Sequence, residues 1–104
     1  MVSVEFKSVN DKLMSLTMSG HAESADYGED LVCAGISSIV FGALNGFDQL
    51  ANQKFNITVE DNYVNVSATD DACIVNKLLN FVLIQLQTVE HQYPNNINIK
   101  IMEV

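Results

Sequence analysis

Hydrophobic and polar residues alternate in five short stretches. Val2, Val4 and Phe6 alternate with Ser3, Glu5 and Lys7, and Leu16 and Met18 alternate with Ser15, Thr17 and Ser19. Phe55, Ile57 and Val59 are set against Asn56, Thr58 and Glu60, and Val64 and Val66 against Asn65 and Ser67. Ile97, Ile99 and Ile101 close the series against Asn98, Lys100 and Met102. A period of two predicts strands with one covered face and one wetter face. Asn10-Asp11 and Asp61-Asn62 are short polar links that read as hairpin turns.

Two stretches carry a helical period instead. The first runs from about Asp30 to Ala51 on a spine of Leu31, Ile36, Ile39, Val40, Leu44 and Phe47. The second follows Asp70-Asp71, read as a cap, and carries Ile74, Val75, Leu78, Leu79, Val82, Leu86 and Val89 before ending near His91 and Pro94. The order is therefore ββαββαβ. It predicts an α/β two-layer sandwich, a mixed sheet with two helices on one face. Phe41, Phe81, Leu83 and Ile84 fall outside the minimal stripes. Apolar surface in excess of one sheet face predicts a homodimer built partly on helices. The uncharged run from Leu31 to Phe47 contains Ser37, Ser38, Asn45 and three glycines. It falls short of a membrane span, so a buried helix and no membrane partner are expected.

Composition narrows the function. The chain has 104 residues, the length of one domain spanning 1–104. It carries 5 lysines, no arginine and 13 acids, a net charge of −8. Without clustered cations it is not expected to bind nucleic acid, and a charged partner should be basic. The N-terminus lacks a basic-then-apolar signal, which points to the cytoplasm. Cys33 and Cys73 read there as free thiols.

One stretch does not fit structural duty: Gly20-His21-Ala22-Glu23-Ser24-Ala25-Asp26-Tyr27-Gly28-Glu29-Asp30-Leu31-Val32-Cys33-Ala34-Gly35. It leaves a strand, crosses a polar loop and enters a helix, with a histidine at one end and a cysteine at the other. If Asp30 caps the helix, Cys33 falls at the third helical position, where a positive helix end lowers a thiol pKa. An imidazole from His21 would complete the activation, and first-turn amides would hold an oxyanion. The chemistry indicated is acyl transfer through a thioester. The plain alternative is a small buried cysteine and a surface histidine.

The residues are more specific than their spacing. Gly20-His21-Ala22 followed by Tyr27-Gly28-Glu29-Asp30-Leu31-Val32-Cys33-Ala34-Gly35-Ile36-Ser37 resembles the signature of the bacterial ribosomal-processing cysteine protease family, Prp. That signature is Gly-His, a short loop, then Gly-x-Asp-[Ile/Leu]-Val-Cys-Ala-x-x-Ser. The resemblance extends to chain length and element order; Leu31 and Gly35 stand where isoleucine and alanine are common. It implies a small homodimeric cysteine endopeptidase that needs no cofactor. The implied substrate is a basic precursor, large-subunit ribosomal protein twenty-seven, whose N-terminal extension is cut after a pair of phenylalanines. It further implies Cys33 as nucleophile and His21 as general base. Asp30 would orient His21 or cap the helix, and Gly20 and Ser37 would shape the site.

The loop adds charge to this picture. Glu23, Asp26, Glu29 and Asp30 put four carboxylates into eight residues. A solvated loop is the bland reading. A docking lip for a basic substrate is the functional one. Those carboxylates oppose the helix-end effect on the thiol and favour a charged His21. Cys73 is expected to be buried and inert, and His91 to lie at the surface. The two histidines and two cysteines match no zinc spacing, so no metal site is expected. Two other classes stay open: an acidic, non-catalytic assembly module holding a basic ribosomal protein, and a thiol redox protein pairing Cys33 with Cys73.

Overall fold

In a computed structural model of the chain, the structure describes residues 1–20 and 27–104, and for residues 27–30 the backbone only. The elements are β1 (Val2–Val9), β2 (Lys12–Ser19), α1 (Tyr27–Leu50), β3 (Phe55–Glu60), β4 (Tyr63–Ala68), α2 (Cys73–Gln92) and β5 (Ile97–Glu103). The sheet order is β3-β4-β2-β1-β5. β5 runs parallel to β1, while the other pairs are antiparallel. Both helices pack on one face, α2 over β2 and β5, α1 beside β3 and α2. This is the two-layer arrangement the alternation predicts.

The hairpin turns follow from residue chemistry. Asn10 and Asp11 both adopt left-handed backbone, with φ of 53° and 66°, and join Val9 directly to Lys12. Consecutive left-handed residues match the twist of a two-residue hairpin, and Asn and Asp tolerate that conformation best after glycine. Asp61-Asn62 makes the equivalent link between Glu60 and Tyr63, with Asn62 at φ 57°.

Simple alternation misses one device in β2. Lys7 pairs with Ser15 but Ser8 pairs with Leu13, so Met14 is an extra residue in a bulge. Leu13 and Leu16 lie three apart, which in a regular strand puts them on opposite faces. The bulge returns both to the core. The strand therefore begins three residues earlier than the alternation from Ser15 suggests.

The core is layered. Val2, Val4, Phe6, Leu16, Met18, Val64 and Val66 from the sheet meet Ile36, Val40, Phe47, Val75, Leu79, Val82 and Leu86 from the helices. Phe47 stacks on Phe55 with ring centroids 4.5 Å apart, fixing the far end of α1 to β3. Leu83, outside the minimal stripe, is buried, whereas Leu31 and Ile74, placed on the spines, are exposed. α1 is by length and composition long and apolar enough to cross a bilayer from Leu31 to Leu50. That departs from the sequence expectation, which stopped at Phe47. Ile36, Val40 and Phe47 nevertheless pack one side of it into the core.

The start of α2 also differs from expectation. Ala72, not an aspartate, is the cap residue and Cys73 is the first helical residue. Cys73 is exposed, not buried as expected. Asp70 acts from outside the helix: its Oδ1 accepts the Ala72 N–H at 3.0 Å and its Oδ2 accepts from Lys54 Nζ at 2.7 Å. The Lys54 hydrogen bond, then the Ala72 amide, hold the Asp70 carboxyl below its ordinary range. A depressed carboxyl pKa stabilises the fold above the unfolded value, about 3.9, and that contribution is lost as pH falls through the folded value. Replacing Lys54 by Gln is expected to move the Asp70 pKa upward in an NMR pH titration, and to weaken the acid dependence of stability below about pH 4. An unmoved Asp70 titration would show that the ammonium does not hold the carboxylate.

Candidate active site

The site is built where β2 ends and α1 begins. β2 runs out at Ser19, and Gly20 turns the chain with φ 83°. Its N–H donates to the Asn62 carbonyl at 3.1 Å, tying the end of β2 to the β3–β4 turn. A Cβ on Gly20 would stand 2.8 Å from the Met1 carbonyl oxygen. Left-handed backbone and a backbone wall together demand glycine at this position. The residue that launches the chain into His21 is thus fixed by three segments at once. The glycine of the Gly-His dipeptide is the sequence signal for this, but its contacts with Met1 and Asn62 are long-range and carry no local signature.

The helix start requires a correction. α1 begins at Tyr27, so Asp30 is its fourth residue and not its cap, and Cys33 is its seventh residue and not its third. The reason is local. Carboxylates are favourable inside a first turn as well as at the cap, and Glu29 and Asp30 occupy the third and fourth positions of the helix. Gly28 costs about 1 kcal/mol there against alanine, too little to stop a 24-residue helix. Cys33 therefore lies beyond the first-turn amides, and the helix-end and oxyanion arguments made for a third-position thiol do not transfer to it.

Cys33 is half-buried, a free thiol packed against the margin of the core. Ser37 follows four residues later on the same side of α1 and is also half-buried. His21, Glu23 and Asp26 lie outside the described residues, as do the side chains of Glu29 and Asp30. Of the proposed machinery, the described structure places Gly20, Cys33 and Ser37. Its geometry offers a partly accessible thiol on a helix packed against the core, which is what a nucleophile requires.

Comparison with known proteins decides the family. Residues 1–98 match the family model described as cysteine protease Prp. The chain belongs to the Prp family. The ribosomal processing cysteine protease Prp of Staphylococcus aureus is 34% identical over 106 residues, covering 95% of this chain and 97% of the relative. That of Bacillus subtilis is 30% identical over 107 residues, covering 95% and 96%. The crystal structure of an essential ribosomal processing protease Prp from S. aureus in complex with a substrate peptide superposes with a TM-score of 0.86. It shares 31% identity and covers 97% of this chain and 99% of that one. A second S. aureus Prp structure, in complex with a covalently linked product peptide, gives a TM-score of 0.84 at 32% identity, over 97% and 99% of the two chains. The ββαββαβ fold is thus that of Prp, and the chain is a cysteine protease.

Gly20 gives a direct test of how the site is anchored. Gly20→Ala is expected to cost about 1–3 kcal/mol in urea unfolding, from the left-handed backbone and the clash with Met1. A loss no larger than that of an ordinary surface substitution would show that this junction is not constrained as described.

Proposed function

We propose that this Prp acts in the cytoplasm as the endopeptidase that removes the N-terminal extension of large-subunit ribosomal protein twenty-seven. Cys33 is the nucleophile and His21 the general base. The imidazole takes the Sγ proton and the thiolate adds to the scissile carbonyl. The tetrahedral intermediate then collapses to a thioester, and the leaving amine receives the proton from the imidazolium. Water, activated by the same imidazole, releases the acid product and the free thiol.

The observation that carries this reading is the S. aureus relative held with a covalently linked product peptide on a fold superposing at TM-score 0.84. The His21 and Cys33 positions of the family signature stand intact in this chain. Asp30, in the first turn of α1, orients His21. Gly20 and Ser37 shape the site, and Glu23, Asp26 and Glu29 supply negative charge for a basic precursor. Expected outcomes are plain. Cys33→Ala abolishes cleavage of a peptide spanning the extension, and His21→Ala lowers kcat about 10²–10⁴-fold. Cleavage by both variants at the wild-type rate would sink the dyad.

The same reading includes a homodimer. Gly35, Gly42 and Gly46 lie on one face of α1, and a Cβ at each would meet nothing within 4 Å. Each costs the helix about 1 kcal/mol against alanine, with no return inside this chain. Small residues of this kind let a second backbone approach closely. Gly42 and Gly46 line a groove of about 440 Å³ between the helices, beside Leu50 and Phe81. Those two large apolar side chains are exposed on its rim. Light scattering is expected to return twice the 11.5 kDa chain mass. Phe81→Asp should halve that mass while the chain stays folded; a wild-type chain that is monomeric at tens of micromolar would overturn the dimer.

A further inference from the structure

The sheet is covered unevenly, and the uncovered part is its β3 edge. Cross-strand register puts Ile57 opposite Val66 and Val59 opposite Val64, so all four share the helix-facing side. Val64 and Val66 are at most 2% exposed, as are Phe6 and Leu16 on the same side. Ile57 and Val59 are 40% and 51% exposed. The helix layer meets β3 at Phe55 and leaves Ile57 and Val59 open.

α1 forms the wall next to this gap. Its other flank, with Ile39 and Ala43, faces α2 across the inter-helix groove. Cys33, Ser37, Phe41 and Leu44 follow one another at spacings of four, four and three, a single row on the flank turned away from α2. Phe41 is exposed on that row and Leu44 half-buried against the core. Below the row, Phe47 stacks on Phe55 and holds the start of β3 against α1. From there β3 runs back toward its turn, whose Asn62 carbonyl anchors Gly20. The result is an apolar shelf with Ile57 and Val59 as floor and the α1 row of Phe41, Ser37 and Cys33 as wall.

We infer that this shelf is the specificity surface of the protease, receiving apolar side chains of an extended peptide next to the scissile bond. The inference rests on the proposed role of Cys33. Charge supports a basic peptide as the occupant: Asp48 continues the α1 row, Asp61 stands in the turn after β3, and the chain carries a net charge of −8. A basic chain is thus flanked by carboxylates while its apolar side chains settle between them. The outer inter-helix groove, with its open glycines and without Cys33, is left for the second protomer. Ile101, also helix-facing and exposed at 52%, sits at the far end of the other edge strand and serves as a matched control.

Cys33→Ala protein permits the test, because it binds peptide without cutting it. With a fluorescently labelled precursor peptide, Ile57→Ser and Val59→Ser in that background are each expected to raise Kd about tenfold, and Ile101→Ser to leave it unchanged. In the otherwise unaltered Cys33→Ala protein, saturating peptide should slow hydrogen exchange of β3 amides, a measurement that needs no shelf mutation to fold. In the active enzyme the same two shelf changes should raise KM and leave kcat and the iodoacetamide reactivity of Cys33 as they were. Unchanged Kd in both shelf variants, or unprotected β3 amides at saturation, overturns the shelf while cleavage by wild type leaves the protease reading standing. A wild-type protein that does not cut the peptide and a Cys33→Ala protein that does not bind it remove both.

Discussion

Neighbouring strands are about 4.8 Å apart and packed helices 8–10 Å apart, so two helices side by side span less than five strands laid edge to edge. This mismatch in width governs the molecule. α2 settles over β2 and β5, and α1 packs beside it and touches β3 where Phe47 stacks on Phe55. Val64 and Val66 on β4 are sealed, while Ile57 and Val59 on β3 remain in water. Exposed apolar area of this kind costs roughly 25 cal/mol per Å² while it stays wet. In the proposed reading, an arriving peptide recovers that free energy as binding when it covers the strip.

The local rules that place the strands are strong because each strand has one sealed face. Val2, Val4 and Phe6 cannot slip by one residue without turning a core face to water, so alternation gives β1 without ambiguity. What alternation does not reveal is any feature whose cause lies in another segment. Leu13 rejoins the core only because Met14 is bulged out opposite the Lys7–Ser8 step of β1. Leu83 is buried and Leu31 exposed because of where the neighbouring elements stop, not because of their own periodicity. The membership of the Prp family was legible from the run between Gly20 and Ser37, since a dipeptide and an eleven-residue block carry more information than any hydrophobic pattern.

The start of α1 shows how a correct residue can suggest a wrong position. Aspartate favours the cap, but it also favours the first turn, and the difference of four positions moves Cys33 from the helix end into the second turn. In the proposed mechanism the chemistry then depends less on the helix dipole and more on His21. A thiol on the second turn has a rigid backbone beneath it, since its amide already donates within the helix in regular geometry. Rigid placement favours attack by fixing direction, and in the proposed mechanism proton transfer falls to His21. The demand for glycine there, set by the Met1 carbonyl and left-handed backbone, fits that division: the base-bearing segment departs from a fixed point.

The two apolar surfaces of the helix layer differ in the kind of partner they suit. The groove lined by Gly42 and Gly46 is floored by backbone and rimmed by Leu50 and Phe81. A rigid partner with large, fixed side chains matches such a surface, and a second copy of the same helices provides both the large residues and the glycine gaps they need. The shelf on β3 is open at Ile57 and Val59, with Asp48 on the α1 row and Asp61 in the turn after β3. It suits a thin extended chain with positive charge and offers little to a folded protein. A dimer built on the first surface leaves the second free, so one domain of 104 residues can hold its partner and its substrate on opposite flanks of the helix that carries Cys33.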